Sequence, residues 1–509
     1  MAGHSRRFKK AGHTKPKFML KCGAKLMIEH VFDMFSEFDE YHLILSNAFE
    51  KNNDITTFLK NLSPRVNLYF IDPHEDGPTS SIMSANLNIN KSSPVIVSYC
   101  DFTVEWDYEL FKRQVISYDC CAPYFVGFHA ASLGETKYAY MKESDNLMIE
   151  LREKDSYTSD RLNEPASTGI YYFKSFDFLQ ELAHEVITGE EILPNGESYV
   201  SLLMNPAVRK GYKVLLFKVS KFICLGTPED YDQFNYWYKY FCDDRLNNSE
   251  IFSDFSMIPM AGEGSRFKKI GYRTIKPIIQ IGKDSLIEKC LSSLPKANNE
   301  IFLLRDEVYN NKKIIEKISN INKHSNKVFI SVNEATEGQA CTCLLANDQI
   351  NDDSSLMISS CDYEINYEMS RLDKLRKEHD PDVIIFTFKL RSQPVGSYEN
   401  FGYCKQESGL VKQIVEKKCI SDEPMNDHMI TGSFWYKKSK DFKEAAKYLI
   451  KNNLRINNEF YVGTSINYLI EKKLKVCIFE VDQWISFGDP VELELYYFWE
   501  DYFNQDYLL

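Results

Sequence analysis

Arginine and lysine side chains that follow a glycine turn could hold a triphosphate, and this chain carries such a turn twice. The two stretches read MAGHSRRFKKAGHTKPKFML at residues 1–20 and MAGEGSRFKKIGYRTIKPII at residues 260–279. Nine of the twenty aligned positions are identical. Main-chain N–H groups of such a turn can approach phosphate oxygens, and nearby cations neutralise their charge. The duplication therefore predicts nucleotide chemistry carried, now or formerly, by both halves.

The repeat continues along the whole chain, because equivalent residues stay 259 to 263 positions apart. Each half also has an aspartate directly after an apolar run, in PVIVSYCD and in SLMISSCD. The matched positions are Cys100-Asp101 with Cys361-Asp362, Gly77 with Gly338, Glu153-Lys154 with Glu416-Lys417, and Thr168-Gly169 with Thr431-Gly432. A chain of 509 residues with this repeat predicts two domains, at 1–245 and 255–509, with a polar junction near 243–254.

Apolar runs alternate with polar, helix-length segments, which predicts an α/β fold with a mainly parallel, doubly wound sheet. In the second half the predicted strands are FSMIPM and residues 300–305, 327–332, 355–361 and 382–390, with a helix around 283–293. Aromatic segments at 229–241 and 491–503 are predicted to be helices that cap each domain. The first half begins inside its motif, so the strand that should lead into the first loop is missing from the middle of a predicted sheet.

The net charge, the cysteines and the apolar runs of the sequence argue against several classes of protein. A net charge of −12 argues against a broad surface for nucleic acid or anionic membrane. The 13 cysteines are scattered without a C-x-x-C pair, which indicates buried, reduced thiols rather than a zinc site. No apolar run approaches the roughly 18 residues that span a bilayer. We therefore expect a cytoplasmic protein with neither a membrane nor a nucleic-acid partner.

AGEGSRF followed by Lys276-Pro277 resembles the signature of the sugar-phosphate nucleotidyltransferases, also called nucleotide-sugar pyrophosphorylases. The first motif resembles the variant in members associated with bacterial surface-polysaccharide synthesis. The resemblance covers both halves and implies two tandem Rossmann-like, GT-A-like domains, each with a mainly parallel mixed sheet flanked by helices. It also implies a Mg²⁺-dependent enzyme that joins a sugar 1-phosphate, or another phosphorylated small molecule, to an NTP and releases pyrophosphate. A role in polysaccharide or glycoconjugate synthesis and a homo-oligomeric state are further expectations.

The resemblance assigns roles position by position. Arg266, Lys276 and Asp362 would be catalytic, with Asp362 on the magnesium ion; Arg7, Lys17 and Asp101 are their equivalents, with Asp101 as the metal ligand. Nucleotide-binding positions would be Ala261, Gly262, Gly264, Ser265, Gly338 and Gln339, with Gly3 and Gly77 in the first half. Substrate-binding positions would be Gly402, Glu416, Lys417, Thr431 and Gly432, with Glu153 and Lys154 in the first half. Such a set suits in-line phosphoryl chemistry, which needs positioning, charge neutralisation and a metal rather than a nucleophilic side chain.

Two departures from the family pattern leave alternatives open. Many relatives have a second metal-binding aspartate two residues before a glycine, where this chain has Ser486 and Cys224. Asp362 then works with water and phosphates alone, or Asp482 or Asp489 substitutes, or the metal site is weakened. In the first half, Pro78 and Ala139 replace Gln339 and Gly402, and the strand that should lead into the first loop is missing. The missing strand leaves three alternatives: the start is truncated, the first half is a degenerate structural or regulatory copy, or it tolerates the loss of the strand.

Three other functions compete with this interpretation. Pyrophosphorylase-like domains also act as non-catalytic scaffolds or regulatory subunits. Glycosyltransferases of the related fold usually carry a D-x-D motif, whereas this chain has Asp101-Phe102-Thr103 and Asp362-Tyr363-Glu364. Relatives also transfer CMP to phosphocholine or other non-sugar acceptors. We expect the second half to be the active site, and the first half to be a second site or a structural copy.

Overall fold

The computed structural model divides the chain into two units, Met1–Asn235 (unit 1) and Tyr236–Leu509 (unit 2). It describes residues 1, 3–36, 39–134, 136–189, 194–243, 250–390 and 397–505. The division lies inside the last helix of the first repeat, ten residues before the predicted boundary at 245. Residues 244–249 of the predicted junction and the last four residues of the second predicted domain lie outside the described residues.

Unit 1 alternates strands and short helices. Its strands are β1 (Lys21–Cys22), β2 (Lys25–Leu26), β3 (Tyr41–Ser46), β4 (Val66–Ile71), β5 (Val95–Ser98), β6 (Phe102–Glu105), β7 (Cys120–Phe125), β8 (Ala139–Ser144), β9 (Leu147–Glu153), β10 (Ala166–Ser167), β11 (Ile170–Phe173), β12 (Val214–Lys218) and β13 (Lys221–Cys224). Its helices are α1 (Arg6–Lys10), α2 (Met27–Asp33), α3 (Asn53–Asn61), α4 (Pro78–Ser84), α5 (Tyr108–Val115), α6 (Phe176–Thr188), α7 (Met204–Arg209) and α8 (Pro228–Cys242), which crosses the division.

Unit 2 largely repeats this order, with an additional strand at its start and one long strand, His428–Tyr436, where unit 1 has β10 and β11. Its strands are β14 (Ile251–Met260), β15 (Gln280–Ile281), β16 (Asp284–Ser285), β17 (Lys296–Arg305), β18 (Asn326–Val332), β19 (Leu356–Ser359), β20 (Tyr363–Asn366), β21 (Val383–Phe388), β22 (Gly402–Glu407), β23 (Leu410–Glu416), β24 (His428–Tyr436), β25 (Val476–Glu480) and β26 (Gln483–Ser486). Its helices are α9 (Ser265–Lys269), α10 (Leu286–Ser293), α11 (Asp306–Tyr309), α12 (Lys312–Asn320), α13 (Gln339–Leu344), α14 (Met369–His379), α15 (Ser439–Lys451), α16 (Val462–Glu471) and α17 (Pro490–Gln505).

The large sheet of unit 2 has the order β18-β17-β14-β19-β24-β21-β25-β23-β22. The four strands at one edge run parallel to one another, but β24 is antiparallel to both β19 and β21, and β22 and β23 form an antiparallel hairpin. The prediction of a mainly parallel sheet was therefore wrong for the other half of the sheet. Its physical reason is that the segment after β21 contains a hairpin turn at Ser408-Gly409 rather than a helical crossover.

Strand β14 lies in the interior of this sheet, and its side chains alternate between two hydrophobic cores. Met257 belongs to the core that also holds residues of α13, α15 and α16, while Ile258 belongs to the core with α10, α12 and α14. Because both faces are covered, the central strands read as continuous apolar runs. This is why FSMIPM and its neighbours could be recognised as buried strands.

Helix starts in unit 2 carry local sequence signals. The Asn311 side chain accepts hydrogen bonds from the Lys313 and Ile314 N–H groups at the start of α12. Ser285 and Glu288 form a capping box at the start of α10. These caps satisfy N–H groups that have no partner within the helix, and they hold α10 and α12 beside the parallel edge of the sheet.

Unit 1 has the sheet order β10-β8-β9-β12-β7-β11-β5, and β3 pairs with β4 in a separate parallel pair. Most of these pairings are antiparallel, so the prediction of a mainly parallel sheet was wrong here as well. Within the described residues, unit 1 has no counterpart of β14 between β3 and β5. The parallel edge of the sheet is thereby interrupted at the place where its motif begins.

All thirteen cysteines are free, and seven of them are buried. Among the described residues, no helix combines the length and apolar character that crossing a membrane requires.

Candidate active site

The glycine turn of unit 2 follows β14 directly, at the carboxyl end of the parallel strands. Gly264 has the left-handed φ of 60° and is followed by α9, which begins at Ser265. Ala261 and Gly262 complete the turn, and the space around Gly262 is open. A Cβ added at Gly264 would lie 3.8 Å from the Cβ of Lys276, so the turn and the lysine are neighbours.

Lys276 and Asp362 form a close ion pair below this turn. Lys276 Nζ lies 2.9 Å from Asp362 Oδ2, and the lysine also lies over the Phe267 ring at 5.4 Å from its centroid. Burial is the largest influence on the pKa of Lys276 and lowers it, but Asp362, together with Cys361 and Cys290, raises the pKa by more. Burial alone raises the pKa of Asp362, but Lys276, and after it Arg266, bring it below its ordinary value. Both groups are therefore charged at neutral pH.

Arg266 completes a group of two cations and one carboxylate at this edge of the sheet. Its guanidinium lies 3.8 Å from Asp489 Oδ2, and its side chain is 66% exposed. It is near enough to lower the pKa of both Asp362 and Lys417. The exposed guanidinium is available to an anionic ligand, whereas the Lys276 amine is held in place by Asp362. Such an arrangement can neutralise a triphosphate and position it at the same time.

Glu492, at the start of α17, is a carboxylate near Asp362 that the sequence interpretation did not select. A Cβ added at Gly488 would lie 3.4 Å from Asp362 Oδ2 and 3.6 Å from Glu492 Oε2. Ser486 Oγ donates a hydrogen bond to Glu492, and so does the Asp489 N–H at 3.0 Å. Burial, with Asp362 adding to it, raises the pKa of Glu492 to about 7. Its unit 1 counterpart is Asp230, 262 residues earlier, which was the available signal.

The two aspartates considered as substitutes have other neighbours. Asp482 is paired with Arg371, with Oδ1 2.7 Å from the guanidinium nitrogen. Asp489 lies beside Arg266 rather than at hydrogen-bond distance from it. Ser486, which stands in the position of the missing aspartate, instead orients Glu492. The structure thus offers Glu492 as a third substitute.

Gly338 and Gln339 form a second turn at the start of α13. Gly338 has a φ of 128°, and a Cβ added there would lie 2.5 Å from the Phe460 backbone nitrogen. Only glycine allows the two chain segments to approach this closely. Gln339 Nε2 donates to Ser360 Oγ at 3.3 Å, two residues before Asp362. This turn is therefore connected to the aspartate that ends the neighbouring strand.

Glu416 is held between two glycines. A Cβ added at Gly402 would lie 2.3 Å from Glu416 Oε2, and one added at Gly463 would lie 2.3 Å from Oε1. Burial raises the pKa of Glu416 to about 7, although Lys417 opposes the shift. The carboxyl group therefore occupies a narrow space whose walls are backbone atoms. It can accept hydrogen bonds from a ligand only at its open side.

The other residues predicted for the acceptor pocket make different contacts. Lys417 has a left-handed φ of 58° and donates to the Asn400 carbonyl. Burial lowers the pKa of Lys417, Glu416 raises it, and Arg266 lowers it further. The Thr431 hydroxyl donates to the Phe386 carbonyl at 3.1 Å and is used within the fold. Gly432, with a φ of 99°, lies against Ser360.

Unit 1 contains an equivalent cation–carboxylate pair. Lys17 Nζ lies 2.5 Å from Asp101 Oδ2 and 2.6 Å from the Gly226 carbonyl. Burial is the largest influence on the pKa of Lys17 and lowers it, but Asp101, together with Cys100 and Cys224, raises the pKa by more. Ser5 replaces Gly264 and has a left-handed φ of 49°. Arg7 and Gly3 are exposed at the start of the chain.

The remaining predicted positions of unit 1 also have close neighbours. A Cβ added at Gly77 would lie 2.5 Å from the Ser198 backbone nitrogen, as at Gly338. Glu153 accepts a hydrogen bond from Ser201 Oγ at 2.5 Å, and burial raises its pKa. Lys154 Nζ lies 2.5 Å from the Tyr199 hydroxyl. Ser201 stands where unit 2 has Gly463, so the two glutamates have different surroundings.

Comparison with known proteins gives one family match. Residues 256–501 match the model of a family described as nucleotidyl transferase. No curated protein matches the chain.

Solved structures resemble about half of this chain each. A nucleoside-diphosphate-sugar pyrophosphorylase from Vibrio cholerae RC9 is 22% identical over 47% of this chain and 98% of its own, with a TM-score of 0.39. An inositol-1-phosphate CTP transferase from T. maritima is 12% identical over 49% and 98%, with a TM-score of 0.38. A UDP-glucose pyrophosphorylase complexed with UDP-glucose is 15% identical over 50% and 100%, with a TM-score of 0.40.

The family match covers the turn, the Lys276–Asp362 pair and the Glu416 pocket of unit 2. Residues 256–501 thus match the nucleotidyl transferase family, and the protein is a nucleotidyltransferase.

Proposed function

We propose that unit 2 transfers a nucleotidyl group from an NTP to a sugar 1-phosphate. An oxygen of the acceptor phosphate attacks the α-phosphorus, the bond from that phosphorus to the bridging oxygen breaks, and pyrophosphate leaves with the electron pair. The observation that carries this proposal is the Lys276–Asp362 ion pair, 2.9 Å long, just beyond the end of β19, the parallel neighbour of the strand that leads into the glycine turn. The product would be a nucleotide sugar for polysaccharide or glycoconjugate synthesis.

In this proposal each side chain acts through its observed position. Backbone N–H groups of Gly262, Gly264 and Ser265 receive the phosphates, and the exposed Arg266 neutralises the departing pyrophosphate. Lys276 lies between the α-phosphate and the acceptor phosphate. The base lies against Gly338-Gln339, and Glu416 accepts hydrogen bonds from sugar hydroxyls. Because the Thr431 hydroxyl already donates to a backbone carbonyl, its proposed contribution is limited to the shape of the pocket.

The donor set near Asp362 fits a magnesium ion. Mg²⁺ prefers oxygen ligands and is commonly held by one or two carboxylates together with substrate phosphates and water. Asp362 and Glu492 provide two carboxylates that converge around Gly488, and Ser486 and the Asp489 N–H orient the second one. A bound ion would supply charge neutralisation for the phosphates. We propose that the Glu492 carboxylate, although it comes from a different sequence position, takes the role of the metal-binding aspartate that relatives have at the position of Ser486.

We predict that Glu492→Gln weakens binding of Mn²⁺, used as a spectroscopic substitute for Mg²⁺, by about 10-fold or more. The substitution keeps the shape of the side chain but removes its charge, so less negative potential remains at Asp362. Electron paramagnetic resonance titration of the folded protein would measure the dissociation constant. Glu494→Gln, an exposed position on the same helix, is the matched control and should leave it unchanged. Equal Mn²⁺ affinity in the Glu492→Gln variant and the parent protein would contradict the assignment.

We predict that Gly402→Ala raises the KM for the acceptor by about 10- to 100-fold, the range expected when a hydrogen bond to a charged group is lost. The added Cβ would collide with Glu416 Oε2 and move the carboxylate. The KM for the NTP should change little, and initial-rate kinetics with each substrate varied in turn would separate the two. Combining Gly402→Ala with Glu416→Asp should partly restore the acceptor KM, because the shorter side chain leaves room. An unchanged acceptor KM in Gly402→Ala would remove Glu416 from the pocket.

We further propose that unit 1 is a second domain of the same fold, related to unit 2 by tandem duplication. The repeated motifs and the matching order of strands after the first one support this relation. Its Arg7, Lys17 and Asp101 are the counterparts of the unit 2 set. The domains proposed from the sequence, 1–245 and 255–509, are close to the two compact units.

A coupled assay for pyrophosphate tests the reaction. The full chain is incubated with Mg²⁺, each of the four NTPs, and a panel of sugar 1-phosphates together with inositol 1-phosphate and phosphocholine. Release of pyrophosphate with at least one NTP and one sugar 1-phosphate is the expected result. Turnover only with phosphocholine or inositol 1-phosphate would assign a non-sugar acceptor. If the folded protein released no pyrophosphate with any pair of substrates and bound no NTP, the result would favour a non-catalytic scaffold.

A further inference from the structure

The turn and the ion pair that we assign to the nucleotide have the same geometry in both units. The Gly77 turn and the Gly338 turn each make two backbone hydrogen bonds, of 2.8 and 3.0 Å, to the chain segment beside them. In each turn an added Cβ would lie 2.5 Å from a backbone nitrogen of that segment. The Lys17–Asp101 pair is 2.5 Å long, and the equivalent pair of unit 2 is 2.9 Å long. Gly77, Lys17 and Asp101 line one cavity, and Glu153 is not among the described residues of its lining.

The wall opposite the pocket glutamate differs between the units. Ala139 is paired with Glu153 in the β8–β9 hairpin, in the register that pairs Gly402 with Glu416 in the β22–β23 hairpin. A Cβ at position 402 would lie 2.3 Å from Oε2 of Glu416. The Cβ of Ala139 therefore keeps Glu153 out of the place that the Glu416 carboxylate occupies.

The polar groups of the unit 1 pocket already have partners within the unit. Ser201, which replaces a glycine of unit 2, donates a hydrogen bond to Glu153 Oε2 at 2.5 Å. Lys154 Nζ donates to the Tyr199 hydroxyl at 2.5 Å, and that hydroxyl donates to Glu197. An acceptor would have to break these bonds, and a polar group that loses its partner has a free-energy penalty unless the ligand replaces the bond. The pocket of unit 1 is therefore filled by its own side chains.

We propose that unit 1 is a nucleotide-only site, which holds a nucleoside triphosphate and excludes a sugar 1-phosphate because Ala139 and Ser201 occupy the acceptor's place. The nucleotide is bound there without transfer to a sugar, because no acceptor phosphate lies beside its α-phosphorus. The class of ligand rests on the function proposed for unit 2, whose turn and ion pair unit 1 repeats. Occupancy of unit 1 then depends on the concentration of the nucleotide and not on that of the acceptor.

Amide hydrogen exchange of the full chain, followed by mass spectrometry, tests nucleotide binding in each unit separately. Each of the four NTPs is added with Mg²⁺ as its α,β-methylene analogue, which cannot transfer its nucleotidyl group. With at least one analogue, at 100 times its dissociation constant, exchange in residues 76–81 should slow by about 100-fold. Protection of the matched residues 337–342 alone would overturn the inference and leave the proposed reaction of unit 2 standing. Protection of 76–81 alone would support the inference and count against that reaction.

Lys17→Met should raise the analogue concentration that half-protects residues 76–81 by about 10- to 100-fold, because a hydrogen bond from a charged group is lost. Lys21→Met removes an exposed lysine four positions away and is the matched control, which should leave that concentration unchanged. Protection of the parent strength in folded Lys17→Met would overturn the assignment of the nucleotide to this ion pair.

The exclusion of the acceptor is tested by adding each sugar 1-phosphate of the panel to the protein with the analogue bound. None should protect residues 139–153, whereas the acceptor of unit 2 should protect residues 402–416. Placing both side chains in unit 2, as Gly402→Ala with Gly463→Ser, should abolish the acceptor protection. Protection of 337–342 by the nucleotide should persist, which also shows that the variant is folded. Acceptor protection of 139–153 in the parent protein, or of 402–416 in the double variant, would overturn the exclusion.

Discussion

Asp362→Asn is expected to lower kcat for pyrophosphate release by about 10²- to 10³-fold, the range found when one preorganised electrostatic group is removed from an active site. The carboxylate neutralises Lys276 at 2.9 Å and is one of the two oxygen donors proposed for the metal. Asparagine keeps the shape but loses the charge that both functions need. Single-turnover kinetics with the NTP and acceptor identified by the panel would measure the effect on the chemical step.

The matched control for this substitution is Asp101→Asn, which makes the same change in unit 1. If unit 2 carries the activity, Asp101→Asn should retain turnover near the parent value. A large loss of turnover in Asp101→Asn, together with full turnover in Asp362→Asn, would instead assign the active site to unit 1. Losses in both variants, each with a different acceptor, would indicate two working sites.

Lys276→Met is expected to reduce kcat/KM by a similar factor of about 10²- to 10³-fold. Methionine fills the space of the lysine stem beside Phe267 but removes the cation that would lie against the phosphates. Loss of the partner also leaves the Asp362 carboxylate without its nearest counter-charge, which should raise the pKa of Asp362. Steady-state kinetics over a range of pH would show the loss of rate. They would also show that the acid limb of the pH–rate profile moves to higher pH.

Because Lys276 and Asp362 form one pair, their effects should not add. The double variant is expected to be far less impaired than the product of the two single losses, since each single substitution already breaks the pair. Lys17→Met is the matched control in unit 1. Wild-type turnover in Lys276→Met, with unchanged pH dependence, would contradict the role of this lysine in phosphate binding.

Several elements of unit 2 could be predicted because their signals are local. FSMIPM is an unbroken apolar run, and a glycine turn with Arg266 follows it, so both the strand and the turn were recognisable. The C-terminal helix was predicted at 491–503 and is observed at Pro490–Gln505. The family resemblance of this half is confirmed by the match over residues 256–501. Lys276 and Asp362 are 86 positions apart, and they meet because the segments that follow the parallel strands β14 and β19 lie at the same edge of the sheet.

Glu492 and the sheet directions could not be predicted by the same means. Glu492 lies on α17, and its approach to Asp362 depends on how that helix begins beside Gly488, which no single-sequence pattern specifies. The acidic residue at the matched position in unit 1, Asp230, was the one accessible hint. The antiparallel half of the sheet was missed because a hairpin between β22 and β23 occupies a segment whose length also suits a crossover helix.

The residues around Glu416 and Glu153 limit how the proposed acceptor pocket of one half could be converted into that of the other. In unit 2 Gly402 and Gly463 both touch Glu416, whereas unit 1 has Ala139 and Ser201 at these positions, and Ser201 donates to Glu153. Grafting Ala139 alone into the second half would displace its carboxylate, and grafting Ser201 alone would do the same from the opposite side. Replacing these residues one at a time would therefore pass through proteins in which the Glu416 carboxylate has already moved, so either pocket can be reached from the other only through intermediates with a disturbed carboxylate.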